Sequence, residues 1–324
     1  MKERLHYLDT AKGILMCLVV FHHFPYVLTN LDGSYNIEMF QTFEILYTSF
    51  FMGAFFMITG VTFRRIDNVS FLKKNIRSLI LPGILLSVVC SYIQSLILDT
   101  DFSINPLGLL LWGGSWWFLL SLFTAKFFLN VLINYISNIR TIILLTFGAS
   151  SIICFLHIIG LQSDPAFIQQ SIILTPYLVL GYATKIRIIR NRWKLCLLAF
   201  GFTIFIVLHF HLHYPCMTMV IALDASNIVP FFVLSYTGCL LFYDLSQKIN
   251  KASILEAIGK KSLYIYLVHI TVMYACLKVL FVLEIKNLFF LFVISFLSTI
   301  FCSYYIALFI NFIKTLYYDK RYSK

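Results

Sequence analysis

Charge is what this sequence has least of. Only 12% of its 324 residues are Asp, Glu, Lys or Arg, against roughly 25% in soluble domains, while 60% are apolar. With a mean hydropathy of +0.88, too few polar side chains remain to coat a water-soluble globule. The same composition excludes intrinsic disorder. Proline and glycine number only 7 and 14 and never gather into a linker. There is no internal repeat and no low-complexity tract. Residues 1–324 are therefore expected to form a single integral-membrane domain. No segment between apolar runs exceeds roughly 20 residues, which is too short to bury its own core, so any chemistry belongs to the membrane bundle.

The 8 cysteines include no C-x-x-C spacing, and all but Cys216 lie in apolar runs. This excludes a disulfide framework or a zinc site and leaves small hydrophobic packing. His209, His211 and His213 alternate near an outer face; the i,i+4 pair His209 and His213 lacks a third-ligand motif. No metal site is expected.

What the sequence does have is long apolar runs, each near the 20 or so residues that cross a bilayer. They lie at about 12–30, 44–63, 78–98, 114–133, 141–160, 168–184, 195–210, 228–245, 262–283 and 288–313. The fold class is thus an all-α, polytopic transmembrane helix bundle of about ten spans. Segment 211–227 fits a loop, a re-entrant piece or an interfacial helix. The first run is long and lacks a small-residue cleavage site, so it reads as an uncleaved span rather than a signal peptide.

Ten spans place 22 of the 25 Lys and Arg, with 6 of the 14 acidic residues, on one side. That side carries +16 and the remainder −5, a steep asymmetry hidden inside the net +11. The positive-inside rule then puts both termini in the cytoplasm. The basic balance needs no nucleic-acid partner.

Ionisable groups within a span are costly and are functional candidates by default. Asp9, Lys12 and His23 lie within about 40° of one helical face, with His23 about 16 Å beyond Lys12 along the axis. His22 points about 80° away from Lys12. Such a stripe suits a donor arriving from the cytoplasm and an acceptor arriving from the other side, with a histidine exchanging a proton near neutral pH. His269, about two turns into the ninth run, is the second candidate. Lys74-x-x-Arg77 puts two cations on one helical face, able to hold phosphates. Gly53, Ala54, Thr59 and Gly60 allow either close helix packing or room for a ligand. Trp112, Trp116 and Trp117 read as an aromatic belt, with a sugar-stacking platform as the functional alternative.

Five motifs, in order, resemble the membrane-bound acyltransferase-3 family. RLHYLDTAKGILMCLVVFHH (4–23) is similar to its opening at Arg4, Asp9, Lys12, Gly13 and His23. FFMGAFFMITG (50–60) resembles its second helix, departing at Gly53, where Pro is common, and Thr59, where Ser is common. KKNIRSLILP (73–82) resembles its R-x-x-R segment at Lys74, Arg77 and Pro82, with Lys in place of the first Arg. SWWFLLSL (115–122) and IGKKSLYIYLVH (258–269) resemble a W-F-L segment and a late His-bearing helix.

The Lys-Gly form is similar to the subgroup acting on capsular, exopolysaccharide and fucose-type sugars, such as fucose 4-O-acetylase. The resemblance implies O-acyl transfer, usually of acetyl from acetyl-CoA, to a hydroxyl of a surface glycan or lipid-linked sugar. It implies no permanently bound cofactor, with acyl-CoA as donor co-substrate, and residence in a plasma membrane, the bacterial inner membrane. No fused extracytoplasmic esterase-like domain is expected. In these roles His23 is the general base or a transient acyl carrier. Lys12 and Asp9 assist it, Lys74 and Arg77 bind CoA phosphates, and His269 and Trp117 line the substrate cavity. The rival readings are a transporter or flippase for polysaccharide or lipid-linked sugar, and a non-catalytic subunit of a polysaccharide synthase.

Overall fold

The structure, a computed structural model, describes residues 5–102, 116–159, 161, 166–184, 201, 228–249 and 252–322. The predicted span 195–210 (save Gly201), segment 211–227, Arg4, Trp112, Cys196, Cys216 and the His209, His211 and His213 group lie outside the described residues.

The described residues are helical and contain no strand. In chain order the helices are α1 (His6–Leu31), α2 (Glu38–Thr48), α3 (Phe51–Thr62), α4 (Asn68–Asn75), a π-helical turn (Ile76–Ile80), α5 (Leu81–Leu98), α6 (Trp117–Tyr135) and α7 (Ile139–Ile158). They continue with α8 (Ala166–Thr184), α9 (Ile228–Ile249), α10 (Ser253–Val282) and α11 (Leu288–Tyr322). Among the described residues, seven stretches are long and apolar enough to cross a membrane: His6–Leu31, Glu38–Thr62, Asn68–Leu98, Trp117–Tyr135, Ile139–Leu156, Ser253–Val282 and Leu288–Leu316. Two further predicted spans, 168–184 and 228–245, fall on α8 and α9.

Several helices begin earlier than hydropathy predicts. α10 starts at Ser253, not 262, because charged first turns read as loop although their side chains pair within the fold. Glu256 accepts from Lys260 one turn along, and its Oε1 lies 2.9 Å from His6 Nδ1 of α1.

The residues group into two compact units. The first comprises Met1–Phe40, Leu86–Ser103 and Ile249–Lys324, and the second Gln41–Leu85 and Ile104–Lys248. In the first unit α1 and α10 run parallel, since His6 meets Glu256, Asn30 meets Tyr274, and His23 meets His269 between them. α11 turns a stripe of Leu291, Ser295, Thr299, Ser303 and Ala307 inward, all completely buried and spaced four residues apart. Its opposite face exposes Phe290, Leu297, Phe301 and Phe309. Small residues inside and large apolar ones outside suit lipid surroundings.

In the second unit, the small residues of α3 have both uses left open by the sequence. A Cβ on Gly60 would overlap the Leu178 carbonyl oxygen, and one on Gly181 that of Met57, so α3 and α8 touch backbone to backbone. Thr59, one position earlier, lines a cavity instead. The connection from α3 to α4 is clamped to α6 by two asparagines. The Asn130 amide pairs with both main-chain groups of Ile66, accepting from its N–H (3.3 Å) and donating to its carbonyl (3.0 Å). Asn134 donates to the same carbonyl at 3.0 Å.

Asp67 caps α4, accepting from the Ser70 backbone N–H at 2.9 Å. Bonds from the Ser70 hydroxyl and N–H hold its carboxyl below the usual aspartate range. A depressed carboxylate stabilises the fold above its unfolded value of about 3.9, and that contribution is lost as pH falls through the folded value. Protection of the Ser70 and Phe71 amides, relative to their intrinsic exchange rates, is therefore expected to fall on acidification below about pH 4 in the wild type. In Asp67→Asn the acid dependence disappears. An equal loss of protection in the variant would show that the cap is not the cause.

Candidate active site

The densest polar constellation of the first unit lies along the parallel pair α1 and α10. The two helices come close because glycine faces backbone at two places. A Cβ on Gly13 would overlap the Leu255 carbonyl oxygen, and one on Gly259 would overlap that of Asp9. This contact sets the heights of the side chains on either side of it.

Asp9, 8% exposed, lies on this seam, and its Oδ1 is 3.8 Å from the Lys12 ammonium, an i,i+3 ion pair. About 16 Å further along α1 comes His23, half-buried, with ring centroids 5.1 Å from His269 and 5.2 Å from His22. The sequence-predicted stripe therefore reaches His269 at its upper end. His22 stands beside the pair as well, although its helical angle separated it from the stripe.

His269 is 1% exposed. Its Nδ1 lies 2.7 Å from the Tyr266 carbonyl oxygen. A carbonyl only accepts, so Nδ1 carries the proton and neutral His269 keeps its lone pair on Nε2. That Nε2 is buried and has no hydrogen-bond partner among the described residues. A buried lone pair left unmatched is costly, and a hydrogen-bond donor would satisfy it. The Tyr266 ring, 5.7 Å from His269, closes the cluster on one side. α5 supports it from within the same unit, through Gln94 donating to Thr271 at 2.8 Å and Cys90 to the Leu267 carbonyl at 3.5 Å. The chemistry such an arrangement can do is proton exchange at paired imidazoles, with a lysine and a carboxylate at the other end of the stripe.

A cavity of about 780 Å³ between α10 and α11 is lined by Ile254, Phe301, Tyr305 and similar residues and no charged group.

Lys74, Arg77 and Trp117 belong to the second unit. Lys74 lines a cavity of about 410 Å³ with Arg64, Asn75 and Lys126. Arg77 is exposed on the π-helical turn and is not among the lining residues, because the regular i,i+3 spacing expected for Lys74 and Arg77 is interrupted after Asn75. Lys126, carried by α6, was not singled out in sequence. Its signal was a lone lysine within an apolar run, 52 residues after Lys74.

Trp117 is half-buried at the start of α6 beside Phe118, with centroids 6.1 Å apart. The belt reading fails for Trp116, which is fully buried. A Cβ on Gly83 would overlap its indole, so the missing side chain there is the space the ring occupies. Among the described residues, no group of three or more His, Cys, Asp or Glu is arranged to hold a metal.

The sequence profile of the acyltransferase-3 family, described as an acyltransferase domain, matches residues 5–308. No curated protein and no solved structure matches the chain. The profile runs through both units, from the first residues of α1 to within α11, and so includes the histidine pair and the basic cavity alike. A multi-pass helical membrane protein with this match over nearly all its length belongs to the acyltransferase-3 family, and its family points to acyl transfer as its reaction.

Proposed function

We propose that the protein moves an acyl group, acetyl from cytoplasmic acetyl-CoA, onto a hydroxyl of a cell-surface carbohydrate such as a capsule, exopolysaccharide or O-antigen sugar. The observation that carries this reading is the buried, unmatched Nε2 of His269 beside the ring of His23. It supplies a place where a hydroxyl is bound and deprotonated within the bundle.

In this mechanism His23 takes the proton of the acceptor hydroxyl as its oxygen attacks the thioester carbonyl. The new C–O bond forms, the C–S bond breaks, and the thiolate leaves. The proton on His23 then neutralises the thiolate, giving ester and free CoA. His269 accepts a hydrogen bond from the bound sugar through Nε2 and orients it. Lys12 lies about 16 Å along α1 from His23, too far to stabilise the oxyanion formed there. Its role is to hold a donor phosphate, with the Asp9 carboxylate fixing its ammonium. The distance suits an extended donor whose phosphates and thioester occupy opposite ends of the stripe. In the second unit, Lys74 and Arg77 are cations able to bind phosphate, and Trp117 is an aromatic face able to meet a sugar. The site is placed in a bacterial inner membrane with both termini cytoplasmic. The parallel course of α1 and α10 is what a ten-span topology requires of a first and a ninth span.

Purified protein is expected to transfer radiolabel from acetyl-CoA to an acceptor glycan. Transport needs no thioester, so acceptor binding without any acetyl-CoA-dependent product would return the flippase reading. The double variant Lys74→Ala/Arg77→Ala is expected to bind acetyl-CoA about 10- to 100-fold more weakly, as loss of charge-assisted contacts dictates. Calorimetric titration checks this, and unchanged affinity would remove the loop from the donor site.

A further inference from the structure

The outward surface of the first unit is recessed between α10 and α11. The recess is the cavity of about 780 Å³, within the range of about 300–1,000 Å³ typical of small-molecule sites. It lies wholly within that unit, and both helices that form it are long and apolar enough to cross a membrane.

Its walls and its floor differ. The walls are large side chains that stand out from the protein, Ile254 being 76% exposed, Leu297 59%, Phe301 61% and Tyr305 53%. Phe301 and Tyr305, one turn apart, brace each other with ring centroids 4.6 Å apart. The floor is small or buried. Ala257 and Ser298 are half-buried, and Ile258 is buried. The Ser298 hydroxyl donates to the Ile294 carbonyl at 2.6 Å, so its proton is spent within its own helix.

This shape favours one kind of occupant. Helices associate in membranes where small residues let backbones approach, and here the small residues lie behind bulky rims. A helix, about 10–12 Å across with its side chains, is held off by those rims and leaves the floor unfilled. An unfilled floor forfeits the dispersion contacts of the atoms that line it. A single hydrocarbon chain is thin and flexible enough to pass between the rims and reach it. The other polar lining residues gather toward one end. Ser253 opens α10. The two helices are joined by the short segment 283–287 and run antiparallel. Tyr304 and Tyr305, the last lining residues of α11, therefore lie toward the end where α10 begins. Tyrosine, with an apolar body and a polar tip, suits the level where hydrocarbon gives way to water. An apolar slot that turns polar toward one end has the make-up of a lipid, chain and then headgroup.

We infer that this recess is a lipid site, holding one acyl chain of a bilayer phospholipid with the headgroup at the end where α10 starts. The site does not depend on the reaction proposed above. Its floor residue Ile258 directly precedes Gly259, whose contact with Asp9 closes α1 on α10. A bound chain thus packs beside that seam and stabilises it.

The test uses purified full-length protein in detergent, stripped of lipid and titrated with palmitoyl-oleoyl-phosphatidylcholine. Native mass spectrometry counts bound lipid, and thermal unfolding is followed in parallel. The wild type is expected to hold one phospholipid more tightly than any others, and to unfold at a higher temperature once it is bound. Ala257→Leu/Ser298→Leu fills the floor and is expected to bind that lipid about 10-fold more weakly, with unfolding no longer raised by it. Phe301→Ala removes an exposed wall without touching the core and is expected to weaken binding too, so it serves should the filled variant not fold. Phe309→Ala, at a similarly exposed position of α11 outside the recess, is the control and should bind as wild type does. Equal occupancy and equal lipid-dependent stabilisation in wild type, the filled variant and Phe301→Ala overturn the inference. A wild-type dimer that filling breaks, with lipid occupancy unchanged, overturns it as well, since the occupant is then a second copy of the chain. Retention of farnesyl phosphate but not of phosphatidylcholine also overturns it, the occupant then being a lipid-linked substrate.

Discussion

His23→Ala is expected to lower acyl transfer by about 10²- to 10⁴-fold, the usual worth of a positioned general base. Loss of the base removes the only imidazole that both sits on the charged stripe of α1 and meets His269 across the helix pair. His23→Gln keeps a polar side chain of similar length but no group that cycles a proton near neutral pH, and should be equally inactive. Two controls separate chemistry from folding. Thermal unfolding of both variants should stay near wild type, because His23 is only half-buried. Acetyl-CoA affinity should also hold, because the cations proposed to bind the donor lie elsewhere. Near-normal transfer by a folded His23→Ala protein would remove His23 from the mechanism.

The second large effect is structural. Gly259→Ala adds one methyl group where the Asp9 carbonyl oxygen already stands. The obstacle is backbone of a neighbouring helix, not a side chain that swings away, so α1 and α10 must separate. Overpacking of this kind costs about 1–3 kcal/mol or more. The displacement is passed directly to the histidines, since His23 and His269 are carried by the same two helices. Both the unfolding midpoint and acyl transfer are expected to fall. Gly148→Ala is the matched control, because a Cβ there meets nothing within 4 Å. In that variant stability should be unchanged or slightly raised by the better helix propensity of alanine. A Gly259→Ala protein as stable and active as Gly148→Ala would contradict the close packing of α1 on α10.

Much of this was legible in the sequence because membrane helices leave a simple record. Apolar runs located the helices described here, and helical angles placed Asp9, Lys12 and His23 on one stripe. What the sequence withheld is of two kinds. Helix starts were read too late wherever a first turn is charged, as at Glu256 and Lys260, because hydropathy does not see that His6 of α1 pairs with Glu256. Long-range neighbours were not legible at all. Nothing near Lys126 in sequence announces Arg64 or Lys74; the clamp of Asn130 and Asn134 on Ile66, with Arg65 on Asn134, holds that connection against α6. The π-helical turn that interrupts the Lys74 to Arg77 spacing is equally silent, since residues 76–80 read as ordinary helix. Trp116 was misassigned for a related reason. The space that buries it is created by Gly83, more than thirty residues away. Nor does any linker mark the two units, because each draws on separated stretches of chain.

The central claim is that this chain places an acyl group on a surface glycan, with His23 as the base. Mass spectrometry of the surface glycans tests it most directly, comparing cells that lack the gene with the same cells carrying wild type or His23→Ala. A sugar repeat heavier by one acyl group with wild type alone is the predicted result. Identical glycan masses in all three strains, with each protein present in the membrane, would contradict it.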